Sequence, residues 1–109
     1  MERPGHENCP CMETCPLNRA LGLIGGKWKM QILCALSNNG PTRYNRLKKT
    51  LDGVSNTVLA NALRELEGDG LVHRQEYLEV PVRVEYAITE PCRQLIPILD
   101  ALGDWSMAL

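Results

Sequence analysis

The chain carries only two histidines, His6 and His73. It has no glycine-rich phosphate loop and no serine, histidine and aspartate set at catalytic spacing. No constellation for acid–base, nucleophilic or phosphoryl chemistry is therefore visible, so neither an enzymatic activity nor a cofactor is expected. No apolar run approaches the roughly 20 residues needed to cross a bilayer. The first eight residues, Met1 to Asn8, lack the apolar core of a signal peptide. The expected location is the cytoplasm, where thiols stay reduced unless they are sensors or ligands. Internal repeats and low-complexity segments are also missing. At 109 residues the chain has the length of one domain.

Net charge is scarce too. The formal value is −1, from 12 basic and 13 acidic residues. Nucleic-acid binders are usually basic, so this total argues against one, but the distribution argues the other way. Residues 16–64 hold eight basic side chains (Arg19, Lys27, Lys29, Arg43, Arg46, Lys48, Lys49 and Arg64) against Asp52 alone, a charge of +7. Residues 65–109 hold three basic and nine acidic residues, a charge of −6. Such segregation points to nucleic-acid contact, with a merely solvated charged face as the alternative reading.

Periodicity divides the chain into elements. Leu17, Ala20, Leu21 and Ile24 recur at helical spacing behind Pro16, which suits a first helical turn. Gly25 and Gly26 close that helix. Trp28, Ile32 and Leu36 mark a second helix over 27–37, with Cys34 placed in the core. The Asn38-Asn39-Gly40-Pro41 run is a breaker. A third, short helix is expected over 43–50, with Tyr44, Leu47 and Leu51 inward. Ser55 is a natural N-cap for a fourth helix over 56–67, whose Leu59, Ala62, Leu63 and Leu66 share a face. Two extended runs follow, 71–78 and 83–88, the second alternating apolar and polar, with a hairpin tip at 79–82. Thr89 caps a last helix over 90–108. That helix is apolar over a wide arc and contains Pro97, which should bend it.

The expected architecture is mainly helical with a small β-hairpin, a winged helix-turn-helix. On the outward face of the fourth helix, Thr57, Asn61 and Arg64 are spaced i, i+4, i+7 and form one stripe without an acid. These are the residue types that pair with base edges, Asn with adenine, Arg with guanine, a Thr methyl with the thymine methyl. A solvated helix face is the alternative reading of the stripe. Ser55 and Asn56 sit at the helix start. Arg43, Lys48 and Lys49 suit backbone phosphates, which position without reading sequence. Arg83 and the tip residues Val80 and Pro81 suit a wing in or along the minor groove.

Five segments carry a family resemblance: CPLNRAL from Cys15, IGGKW from Ile24, LRELEGDGL from Leu63, VPVRVEY from Val80 and LIPILDAL from Leu95. Together they resemble the HxlR-type winged helix-turn-helix regulators of bacteria, over roughly residues 15–106. The resemblance implies a homodimeric transcription factor, usually a repressor, with a fold related to the MarR group. Its target is double-stranded DNA with a near-palindromic operator. The dimer is expected through the first and last helices, with Leu17, Leu21, Leu95, Leu99, Leu102 and Trp105 at the seam. Residues 15–109 form the winged domain, and 1–14 a mobile cysteine-containing arm.

Cys15 occupies the position at which several members of that family sense oxidants or electrophiles. A thiol at a helix N-terminus gains from the unpaired N–H groups there; equally, Cys15 can simply pack under the first helix. Cys9 and Cys11 stand as resolving thiols for Cys15 or as passengers on the arm. A zinc set of His6, Cys9, Cys11 and Cys15, serving a protein-interaction module, is a further alternative, although Cys-x-Cys is tight for zinc and no metal is expected. Control by a non-covalent small-molecule effector also stays open. Cys92 lies in the first turn of the last helix, with burial at the dimer seam as one reading, and His73 is read as structural.

Overall fold

In a computed structural model of the chain, residues 15–109 are described. His6, Cys9 and Cys11, and with them the expected arm and zinc set, lie outside the described residues. The element order is α1 (Pro16–Ile24), α2 (Lys27–Asn39), β1 (Thr42–Arg43), α3 (Tyr44–Thr50), α4 (Asn56–Gly68), β2 (Val72–Tyr77), β3 (Arg83–Ile88) and α5 (Glu90–Met107).

One hydrophobic core joins these elements. Ile32, Leu33 and Leu36 of α2 meet Leu47 of α3, Leu59, Leu63 and Leu66 of α4, Val72 of β2 and Cys92 of α5, all buried. Each α4 position assigned to the inner face is buried, so its apolar periodicity places the opposite stripe outward. Leu95 and Leu99 cover the edge of the core from α5, as do Trp28 and Tyr44.

The ends of α4 are closed by local hydrogen bonds. Ser55 Oγ accepts from Val58 N at 3.1 Å, the side-chain cap its position predicts. At the other end Gly70 has φ +79°, Gly70 N donates to Glu67 O at 3.1 Å, and Leu71 N donates to Leu66 O at 2.9 Å. This is a Schellman closure, and it needs a residue that tolerates positive φ. It turns the chain directly into β2. Thr89 then ties the start of α5 to that corner, its Oγ1 donating to Gly70 O at 2.7 Å.

Three expectations are corrected. The sheet has three antiparallel strands in the order β1-β3-β2, not a hairpin alone. The two residues of β1 pair Thr42 with Tyr86 and Arg43 with Glu85; a two-residue strand is too short to show alternation in sequence. Second, α2 continues through Asn38 and Asn39 and stops at Gly40, whose positive φ and bond to Leu36 O end the helix. Third, Cys34 is exposed, not in the core. It follows Leu33 on the same turn, and the inward positions are Ile32, Leu33, Ala35 and Leu36.

Candidate nucleic-acid interface

The segment 51–55 leads from α3 into α4, the helix that carries the stripe. Thr57, Asn61 and Arg64 are all exposed on it, and Ala60 between them is half-buried. Arg64 Nη1 donates to Asn61 Oδ1 at 2.9 Å, which couples two members of the stripe. Asn56 is exposed at the helix start, and its Oδ1 accepts from Tyr44 Oη at 3.2 Å.

The distribution of ion pairs sharpens the charge argument. Arg74 pairs with Glu76, Arg83 with Glu79 and Glu85, and Arg93 with Glu90. Lys29 of α2 pairs with Glu65 of α4 at 2.9 Å. Among the described residues, no carboxylate pairs with Arg43, Arg46, Lys48, Lys49 or Arg64. The acidic C-terminal half thus neutralises its own arginines; of the cations in no ion pair, Arg19 lies on α1 and Lys27 on α2, while Arg43, Arg46, Lys48, Lys49 and Arg64 gather on β1, α3 and α4. An anionic polymer would meet them without first breaking an ion pair.

The wing is built differently. Arg83 lies 3.2 Å from Glu79 and 3.6 Å from Glu85, with its guanidinium 4.1 Å from the centre of the Tyr77 ring. Its charge is used inside the hairpin, where it braces the tip. Leu78, Val80, Pro81 and Val82 at that tip are exposed, and the Val80–Pro81 peptide is cis. Arg74, on β2, is held more firmly protonated than usual, chiefly by a hydrogen bond with Tyr86. It lines a crevice of ≈ 180 Å³ between α4 and the sheet, together with Tyr44, Arg64, Glu67 and Tyr86.

Two further residues stand outside the expected binding set. Tyr44 is half-buried, as an inward residue should be, yet its hydroxyl reaches α4; the only sequence signal is a phenol where a purely apolar ring would fill the same space. Arg46 is exposed on α3 beside Lys48 and Lys49, and its signal was the charge run itself.

Cys15 is the N-cap residue of α1 and is buried. Cys92, in the first turn of α5, is buried inside its own chain, and burial pushes its thiol up. Leu17 and Leu21 of α1, and Ile98, Leu102 and Trp105 of α5, are at least half exposed. Of the residues assigned to the dimer seam, Leu95 and Leu99 already pack partly on their own core. Among the described residues, no helix is long and apolar enough to cross a membrane, and no cluster of three His, Cys, Asp or Glu side chains is placed to hold a metal.

The HxlR-like helix-turn-helix family matches residues 23–109. The chain belongs to that family. An HTH-type transcriptional regulator of Halalkalibacterium halodurans is 42% identical over 96 residues, covering 88% of this chain and 85% of the relative. Among solved structures, the redox regulator HypR in its oxidised form is similar with a TM-score of 0.79 at 38% identity, covering 87% of this chain and 97% of that one. The reduced form of the transcriptional regulator YodB from Bacillus subtilis gives 0.78 at 33% identity, covering 85% and 91%. The HxlR-like assignment fits the geometry in detail: the helix-turn-helix is α3–α4, the wing is β2–β3, and the resemblance drawn from five sequence segments is correct.

Proposed function

We propose that this HxlR-like protein is a cytoplasmic, non-enzymatic transcriptional regulator, a repressor, which binds a near-palindromic operator as a homodimer. The observation that carries the reading is the conjunction of unpaired cations on α3 and β1 with the acid-free stripe Thr57, Asn61, Arg64 on α4. In this reading α4 enters the major groove. Arg43, Lys48 and Lys49 contact phosphates, and Ser55 and Asn56 approach the backbone at the helix start. Val80 and Pro81 reach the minor groove while Arg83 stiffens the wing behind them. The apolar side chains Leu17, Leu21, Leu102 and Trp105, with the outer edges of Leu95 and Leu99, form the seam. An exposed apolar patch of this kind on a small domain marks an interface. Two-fold symmetry then spaces the half-sites by about 10 base pairs or a multiple of that.

A switch at Cys15 is part of the proposal. Its support is the likeness to HypR and YodB, together with the place of Cys15 at the base of α1. Because the thiol is buried, an oxidant or electrophile reaches it only when the first turn of α1 lifts, and modification would hold that turn away from the seam. Cys9 or Cys11 would supply a resolving thiol.

A gel shift with the chain's own promoter region tests the core of this reading. Arg64→Ala and Asn61→Ala should each weaken binding, and affinity should fall steeply with salt. Binding indifferent to both substitutions would remove α4 as the reading helix. For the switch, Cys15→Ser should keep DNA binding and lose the response to diamide; an unchanged response removes Cys15 as sensor.

A further inference from the structure

The side-chain oxygens on the outward face of α4 are largely spoken for. Ser55 Oγ accepts from Val58 N at 3.1 Å. Asn56 Oδ1 and the Asn56 backbone carbonyl share the Tyr44 hydroxyl, each at 3.2 Å. Asn61 Oδ1 accepts from Arg64 Nη1 at 2.9 Å. The groups left facing outward are the amide N–H donors of Asn56 and Asn61, the remaining guanidinium N–H donors of Arg64, and the Thr57 hydroxyl. An amide oxygen has two lone pairs, so Asn61 Oδ1 keeps one. A guanidinium beside it, however, repels the partly positive amino hydrogen that an adenine or cytosine would bring there. The nearby carboxylates do not reverse this sign. Glu65 is tied to Lys29 at 2.9 Å on the α2 side, and Glu67 faces the crevice toward the sheet with Arg74.

We propose that the Tyr44–Asn56 and Arg64–Asn61 hydrogen bonds turn the face of α4 into a donor array that selects guanine in the major groove. The proposal rests on the reading of α4 as the helix in that groove. It departs from what residue types alone indicate, since an isolated Asn61 would pair bidentately with adenine, giving one hydrogen bond and taking another. Guanine offers two acceptors on its major-groove edge, N7 and O6, and no donor; adenine offers one acceptor and one donor. Donors left without an acceptor in a desolvated interface cost affinity, so the array discriminates against adenine as well as favouring guanine. Thymine, with O4 and a methyl group, fits beside Thr57.

The test is selection of bound sequences from a random-sequence duplex library with the full-length protein, followed by single-base replacement in the recovered site. Guanine should dominate at least one position in each half-site. Replacing that guanine by 7-deazaguanine removes N7 and should weaken binding by roughly tenfold. Replacing it by inosine keeps N7 and O6 and should leave affinity unchanged. Recovered half-sites without guanine, or tight binding to the 7-deazaguanine duplex, overturn the donor array while leaving α4 as the reading helix. A loss with inosine equal to that with 7-deazaguanine moves the contact to the minor groove and overturns it too. A library from which no sequence is enriched overturns the reading of α4 itself, and the array with it.

Discussion

The phenolic oxygen of Tyr44 lies 3.2 Å from the backbone carbonyl oxygen of Asn56 and 3.2 Å from its side-chain oxygen. One hydroxyl thereby joins the first residue of α3 to the first residue of α4 across a separation of twelve positions. The ring packs on the core while the hydroxyl works at the surface, so Tyr44 links the buried framework to the helix that is proposed to enter the groove.

Tyr44→Phe isolates that hydroxyl. The ring volume is unchanged, so no cavity forms. The loss should be that of one partly solvated hydrogen bond, about 0.5–1.5 kcal/mol of stability in urea denaturation. Affinity for the operator should fall by more than that stability loss alone would cause, because the fold remains largely populated while the start of α4 is freed. Unaltered affinity would show that Tyr44 does not orient Asn56.

Leu59→Ala addresses the opposite face of the same helix. Leu59 is fully buried in the core cluster that α4 shares with α2 and the other elements. Truncation should cost about 2–5 kcal/mol, the range for large-to-small changes in a packed core. For a domain of this size that is a large part of the total stability. Urea denaturation at a fixed protein concentration measures it, with a lower midpoint and an unchanged slope expected.

These two residues also show how far the sequence carried. The Leu59 face of α4 was legible because a 3.6-residue period makes burial a property of spacing. The caps at Ser55 and Thr89 were legible because their side chains bond backbone groups three residues away. The Tyr44 hydroxyl was not, since its partner is a tertiary neighbour that no local pattern announces. The pairing of Arg83 with Glu79 and Glu85 was hidden for a different reason: both partners are close in sequence, but only the folded hairpin turns Glu79 back onto Arg83. A residue that suits a minor-groove wing in sequence is claimed by two carboxylates once the hairpin forms. Cys34 was misplaced because it stands between the inward pairs Ile32, Leu33 and Ala35, Leu36, and one step along a helix rotates a side chain by about 100°.

The thiols of Cys34 and Cys92 should separate cleanly. Cys34 is exposed and should react with iodoacetamide in the native state, while buried Cys92 should react only on unfolding. Peptide mass mapping after a timed pulse distinguishes them. The raised thiol of Cys92 also sets the sign of a pH effect. Between the ordinary thiol pKa of about 8.5 and the higher value in the folded chain, the unfolded state loses the proton and the folded state keeps it. Stability therefore falls as pH rises through that window. Wild type should lose stability above that pH more steeply than Cys92→Ala does, when each is referred to its own value at neutral pH. Parallel curves for the two proteins would contradict the burial argument.

Leu102→Glu tests the proposed seam without touching the core. Leu102 is 53% exposed and Trp105 61% exposed in the single chain, on the half of α5 that lies beyond Leu99. A carboxylate at 102 is therefore solvated in a monomer, and the fold should survive with a helical spectrum like that of wild type. In a two-fold dimer the same carboxylate would be desolvated and would face apolar partners, with a second copy of the change across the axis. Light scattering after size exclusion should report a dimer for wild type and a monomer for the variant at micromolar concentration. DNA binding should weaken strongly, since a monomer engages one half-site and loses the added affinity of two linked contacts. A Leu102→Glu protein that stays dimeric places the seam elsewhere, and the exposed apolar arc of α5 would then need a different partner.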